Sequence, residues 1–267
     1  MKMRPVRTAG RLILGVDGEA ASRSAVSWTA HRTAATRESV VVVAATGRAI
    51  PPPHLAEAAE AARDEIEASA GEGTAEVRVI AEAPSIPEAL TEEAGGDPIV
   101  IGHHRTHPLR SALAGWLPLD IVTQAEGPVF VIPDDFRTRG DEIVVGVSRD
   151  GSARGAVAFA LEEAERTRCA LRLVLAETHP SPGAALALAS IEEEIDDGLT
   201  VAISSTVAEG PPEVALAREA EGACLIVVGR HAGTAIEEVL LGATGHELMK
   251  SARVPICVVP PPEKRAS

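Results

Sequence analysis

Short β-branched runs alternate along this chain with longer stretches rich in Ala and Glu. That alternation is the signature of βαβ units wound around a parallel sheet. In residues 1–138 the apolar runs predict strands at 11–16, 40–45, 75–80, 98–102 and 128–132. Amphipathic helical stretches fall between them, near 20–36, 54–69, 84–94 and 115–125. Ser85 and Glu88 have the spacing of a capping box, and Gly95-Gly96 marks a helix stop. In 139–267 the same reading predicts strands near 142–147, 170–176, 199–207, 223–229 and 255–259. Runs such as VVVVAA and IVVGV carry no alternating polar face, so these strands are buried on both sides, as parallel strands are.

The pattern occurs twice because the sequence does. RLILGVDGEAASRSAV from Arg11 returns as EIVVGVSRDGSARGAV from Glu142, and PIVIGHH from Pro98 returns as LIVVGRH from Leu225. EGPVFVIP ending at Pro133 returns as RVPICVVP ending at Pro260. The offset is 131 residues in the first block and 127 in the later ones, so the second copy is shorter in its middle. A period this long exceeds a solenoid unit of roughly 20–50 residues and fits a whole small domain. Two domains follow, 1–138 and 139–267, joined by the short polar segment DDFRTRGD. The linker is too short to let the halves roam, so they are expected to pack together.

Composition narrows the function. The formal charge is −14, with 13 basic against 19 acidic residues in 1–138 and 12 against 20 in 139–267. Both halves would repel a phosphate backbone, and with 2% aromatic residues there is almost nothing to stack on bases, which argues against nucleic acid. No stretch approaches the 18 or so apolar residues of a membrane span, and the N-terminal apolar run is too short for a signal-peptide core. Neither a membrane partner nor export is expected, and the cytoplasm is the expected compartment. Cys169, Cys224 and Cys257 form an odd, widely spaced set with no CxxC pair. They read as small apolar residues in a reducing compartment.

Open parallel sheets bind ligands outside the carboxyl ends of their strands, where strand order reverses. Here those ends are Asp17 and the loop from Gly102, with their counterparts Ser148 and the loop from Gly229. These places are also where the copies match best. GVD-G after the first strand, IVIG or IVVG at the fourth, a Gly-initiated helix and a last PVFVI or PICVV strand resemble the universal stress protein family. The resemblance covers both halves nearly end to end. It implies a five-stranded parallel sheet of order 3-2-1-4-5 flanked by helices in each domain, the two packed through their fifth strands as a pseudo-dimer, with homodimerisation left open. It also implies a binding or regulatory role in stress response.

ATP-binding members of that family carry an Asp after the first strand and a loop G-x₂-G-x₉-G-[ST]. Asp17, Gly102 and Gly115 match this pattern in copy one, but Arg105 stands at the second glycine and Trp116 at the hydroxyl residue. Copy two keeps Gly229 and Gly242, has Ala232 and Ala243 at those two positions, and carries Thr244 one place late and Ser148 at the Asp position. A side chain at the second position narrows the backbone cradle for phosphate. ATP is therefore expected to bind weakly, and in copy one, where Arg105 and Arg110 favour phosphate while Glu237 and Glu238 of copy two repel it.

Each candidate has a plainer reading. Asp17 could simply cap the following helix. His103, His104 and His107 offer metal ligands, but no carboxylate or Cys lies in their loop, and phosphate contact or a solvated loop fits as well. Ser148 lacks the last glycine of a G-x-S-x-G elbow. There is no P-loop, no HExxH motif and no positioned nucleophile and base, so no catalytic or metal site is assigned. The alternative is a nucleotide-hydrolysing enzyme of the same fold acting through copy one.

Overall fold

A computed structural model of the chain describes residues 10–104, 117–136, 140–179, 181–195, 199–230, 247–249 and 251–261. The chain divides into two compact units between residues 137 and 138. In the first, β1 (Arg11–Gly15), β2 (Ser39–Ala45), β3 (Ala75–Ile80), β4 (Ile99–His103) and β5 (Val129–Pro133) make a sheet ordered β3-β2-β1-β4-β5. Every pairing is parallel: Leu12 lies beside Val40, Ile13 beside Ile99, Val42 beside Val77 and Val100 beside Phe130. The helices α1 (Ala20–Thr36), α2 (Pro53–Ala70), α3 (Ile86–Ala94) and α4 (Leu117–Gln124) supply the crossovers.

The second unit repeats this plan. Its strands β6 (Glu142–Val147), β7 (Ala170–Glu177), β8 (Ile203–Glu209), β9 (Leu225–Gly229) and β10 (Ile256–Val259) run parallel in the order β10-β9-β6-β7-β8. Its described helices are α5 (Arg154–Thr167), α6 (Pro182–Glu193) and α7 (Pro212–Glu219). The second copy is shorter where the repeat offset drops: α6 has 12 residues and its counterpart α2 has 18. Among the described residues no helix is long and apolar enough to cross a membrane.

Strand burial follows the sequence pattern. Leu12, Ile13 and Leu14 are buried without interruption, as are Val40 through Ala44 and Ile143 through Val145, because helices cover both faces. The edge strand β8 departs from expectation. It pairs with β7 alone and starts at Ile203, where register with Leu171 begins, so the apolar residues from Leu199 stay outside it. The cap on α3 forms as its spacing predicts, with Ser85 Oγ accepting from Glu88 N at 3.2 Å and Gly95 ending the helix at φ +55°.

Helix α1 is not the amphipathic helix expected. Thr29, Arg32 and Thr33 lie on its buried side. The threonine hydroxyls donate back to carbonyls four residues earlier, Thr29 to Ala25 O at 2.8 Å and Thr33 to Thr29 O at 2.7 Å. That local bond is how a hydroxyl enters a core without an unmet donor. The Arg32 guanidinium donates two bonds to Glu38, from Nε to Oε2 at 2.8 Å and from Nη2 to Oε1 at 3.1 Å. Thr36 Oγ1 adds a third at 2.7 Å. The same guanidinium lies 5.4 Å from the Trp28 ring centroid and 4.9 Å from that of Phe130, and the two rings are 5.0 Å apart. Phe130 is thus a core residue and also one wall of a buried charge site.

With Arg32 7% and Glu38 3% exposed, this pair should behave as a buried salt bridge. Glu38→Leu should destabilise the first domain by about 3–5 kcal/mol, because it takes the two-point carboxylate partner away from a buried guanidinium. The double variant Arg32→Met with Glu38→Leu should lose much less. Both tryptophans lie in 1–138, so chemical denaturation followed by tryptophan fluorescence reads this domain alone. Equal losses in the single and double variants would contradict this account.

Candidate functional site

In each domain the chain leaves β1 or β6 for a helix on one face and later returns by the neighbouring strand, β4 or β9. The crossovers diverge there, and a cleft opens at the carboxyl ends of the strands. The first cleft has a volume of about 210 Å³ and is lined by Gly15, Asp17 and Ser22 after β1, by Ala45, by Leu90 of α3 and by Gly102 of β4. The second, of about 240 Å³, is lined by Gly146, Ser148 and Arg149 after β6, by Glu177, by Leu216 of α7 and by Gly229 of β9. The structure therefore brings Asp17 together with Gly102, and Ser148 together with Gly229. Arg105, Arg110, Gly115, Gly242 and Thr244 lie outside the described residues, as do His107, Trp116, Glu237 and Glu238.

Each cleft is shaped by a glycine that the repeat shows but the sequence reading left without a role. A Cβ on Gly15 would stand 3.1 Å from Leu90 Cδ1, and one on Gly146 would stand 3.1 Å from Leu216 Cδ1. These glycines let the helix leucine settle against the strand and form the apolar side of the cleft.

Asp17 is exposed, and it does not cap α1; the N-cap is Glu19, which makes no side-chain cap bond. Instead Asp17 Oδ1 accepts from Glu19 N at 2.9 Å, forming an Asx turn just ahead of the helix. Asp17 N donates to the buried Ser22 Oγ at 3.2 Å. The turn passes through Gly18 at φ +81°, a left-handed conformation that glycine adopts without strain.

The second cleft contains an acid that the strict repeat register hides. Ser148 stands at the Asp17 position, but Asp150 makes the equivalent turn: its Oδ1 accepts from Ser152 N at 3.0 Å, again two residues on. Gly151 follows at φ +73°, as Gly18 follows Asp17. The Asp-Gly dipeptide, displaced by two residues, was the signal available in the sequence. The Ser148 hydroxyl donates to Asp150 Oδ1 at 2.7 Å and lies 2.9 Å from Ser152 Oγ, an arrangement that serves the turn and not a nucleophile. Arg149 forms an ion pair with Glu177 and donates from Nη2 to Ser181 Oγ at 2.6 Å. Arg149 and Glu177 both line the second cleft, whereas Asp150 does not.

His103 is buried at the end of β4, and His104 Nδ1 stands 3.7 Å from Asp134 Oδ2 beyond β5. Among the described residues no group of three or more His, Cys, Asp or Glu side chains is placed to hold a metal.

Gly15→Val should destabilise the first domain by about 1–3 kcal/mol, because its methyls must displace Leu90 and Ile101. Gly10→Val is the control, since a Cβ there meets nothing within 4 Å and the change should be near neutral. Fluorescence-monitored denaturation of the two variants compares them directly; a neutral Gly15→Val would show that the cleft wall is soft.

Comparison with known proteins agrees with this architecture. The universal stress protein family profile matches residues 141–260. A universal stress protein of Mycobacterium tuberculosis (strain CDC 1551 / Oshkosh) is 26% identical in an alignment 193 positions long that covers 65% of this chain and 65% of that protein. The match thus spans slightly less than two thirds of the curated relative's length. Among solved structures, a universal stress protein from Archaeoglobus fulgidus DSM 4304 superposes with a TM-score of 0.71 at 18% identity, covering 95% of this chain and 97% of its own. A protein of unknown function from Pseudomonas aeruginosa PAO1 follows at a TM-score of 0.67 and 17% identity, covering 95% and 93%. With five parallel strands in the same order in each half, the chain has the fold of these structures, and its residues 141–260 match the universal stress protein family.

Proposed function

We propose that this chain is a binding and regulatory module of stress response that takes ATP weakly and in its first domain, without turning it over. The observation that carries the reading is the first cleft, where Asp17 and Gly102 converge at the strand ends beside an apolar wall made by Leu90 and Ile101. At about 210 Å³ it is smaller than the roughly 300–1,000 Å³ of drug-sized sites. In this reading the cleft takes the nucleoside part of ATP and not its triphosphate. The phosphates would run toward the loop after β4, which holds Arg105, Arg110 and Gly115. In this arrangement the Asp17 carboxylate accepts hydrogen bonds from ribose or base, and Val16, Val43 and Leu90 exclude water from the apolar faces.

The second cleft is less suited to the same ligand. Its cation, Arg149, is already paired with Glu177, so a phosphate there must displace one carboxylate while remaining close to it. The first cleft has Gly18 at the position of Arg149 and Thr46 at that of Glu177, so no such competition arises. Ser148, Gly229, Gly242 and Thr244 thus define a degenerate counterpart of the site.

Titration of ATP into the wild-type chain and two variants tests this assignment. Loss of a charged hydrogen bond in Asp17→Ala should cost about 1.5–3 kcal/mol, which is about ten- to a hundredfold in affinity. Ser148→Ala should change little. Equal losses in both, or a loss in Ser148→Ala alone, would move the site to the second domain. ADP release that disappears in Asp17→Ala would replace the binding module with a hydrolase.

A further inference from the structure

Cys169 and Cys224 are 55 residues apart in sequence, and their Sγ atoms lie 3.6 Å apart. The fold accounts for the meeting. Cys169 follows the left-handed Arg168 that ends α5 and leads into β7, while Cys224 leads into β9. Those strands flank β6 on its two sides, so both cysteines reach the start of β6 at the amino ends of the strands, the edge of the sheet opposite the cleft. Cys224 N donates to the Glu142 carbonyl at 2.9 Å, and the Cys224 Sγ lies 3.2 Å from the same oxygen. Neither is a fully buried core residue: both are half-buried, unlike Cys257, which is enclosed in β10, and all three are free thiols. The expectation that all three are buried small apolar residues is therefore corrected for this pair.

The pair is asymmetric. The Cys224 S–H hydrogen bond pulls Cys169 down to about 6, against its burial and the carboxylates of Glu163 and Asp141. Cys224 is pushed up because it donates that proton and is the more buried of the two. A thiolate next to a second thiol is the arrangement in which oxidation at one sulfur is resolved by the other.

The first domain shows what these positions otherwise hold. Counterparts 131 residues apart turn Arg32 and Glu38 into Glu163 and Cys169, and Arg11 into Glu142; 127 residues apart, Asp97 becomes Cys224. In the first domain Arg32 pairs with Glu38, and Arg11 Nη1 stands 3.5 Å from Asp97 Oδ2. Each acid has become a cysteine, and each arginine a glutamate.

We propose that Cys169 and Cys224 form a redox modification site, in which hydrogen peroxide oxidises Cys169 and Cys224 resolves it to an intramolecular disulfide. The Cys169 thiolate attacks a peroxide oxygen, the O–O bond breaks, and the departing hydroxide takes up a proton to leave as water. The Cys224 sulfur then attacks the resulting sulfenic acid, the S–O bond breaks, and the Cys224 proton leaves with the hydroxide as a second water. The two sulfurs lose two electrons and hydrogen peroxide gains them. The sulfurs need to close from 3.6 Å to the disulfide length of about 2.05 Å. That movement falls on the turns before β7 and β9.

Treatment of the full chain with hydrogen peroxide, then alkylation and peptide mapping, should give a dithiothreitol-reversible link between the peptides holding Cys169 and Cys224, with Cys257 still alkylated. Dimedone should label Cys169 in Cys224→Ser and leave Cys169→Ser unlabelled, while Cys257→Val behaves as the wild type. Mapping of the unmutated chain keeps the test valid if a serine variant folds poorly. Absence of the link, intermolecular disulfides only, or dimedone trapping confined to Cys257 would each overturn the proposal.

Discussion

The structure depends on one constraint: the first strand of each domain must be paired along both edges while buried on both faces. β1 meets that demand with β2 on one side and β4 on the other, and β6 does so with β7 and β9. Parallel strands joined by right-handed crossovers place helices on opposite faces when the chain moves in opposite directions from a central strand. The helices then part above that strand, and the cleft is what they leave. Its apolar wall comes from the same packing, through a leucine of α3 or α7 seated on a glycine of the central strand. The cleft is thus a product of topology, and the residues that differ between domains adjust its charge without creating or removing it.

Most of this fold was legible because the two copies checked each other. The runs of the central strands are buried on both faces and carry little ambiguity, and α1 begins and ends where its pattern predicts. The cap at Ser85 was legible because a serine three residues before a glutamate has one common use. The misread parts were those where tertiary pairing decides. Leu199 to Ala202 are apolar enough for a strand, yet an edge strand starts only where its single neighbour offers register. The face of α1 could not be read from hydrophobicity because three polar side chains are buried on it, each with a partner.

The candidate site was legible in its positions more than in its details. Asp17, Gly102, Ser148 and Gly229 all reach the clefts, since strand ends are fixed by the pattern that defines the strands. Asp150 was passed over because a fixed offset assumes equal loop lengths. In fact α5 starts at Arg154, three residues later than a strict repeat of α1 would place it. The meeting of Cys169 and Cys224 was hidden for a different reason. Cysteine spacing predicts local pairs, and this one is assembled by strands on opposite sides of β6.

The paired arginines and acids of the first domain, against glutamates and cysteines at the same places in the second, imply a restricted mutational route. From the charged form, changing Arg32 first would set a buried glutamate beside Glu38, and changing Glu38 first would break the buried ion pair from the other side. Breaking a buried ion pair on one side costs about 3–5 kcal/mol. Whole domains hold only about 5–15 kcal/mol. Either single step would use much of a domain's margin, whichever form is the older. Two copies in one chain ease this barrier only if the intact half sustains function while the other crosses it. Duplication would then have opened positions that a single-domain ancestor could not change one at a time.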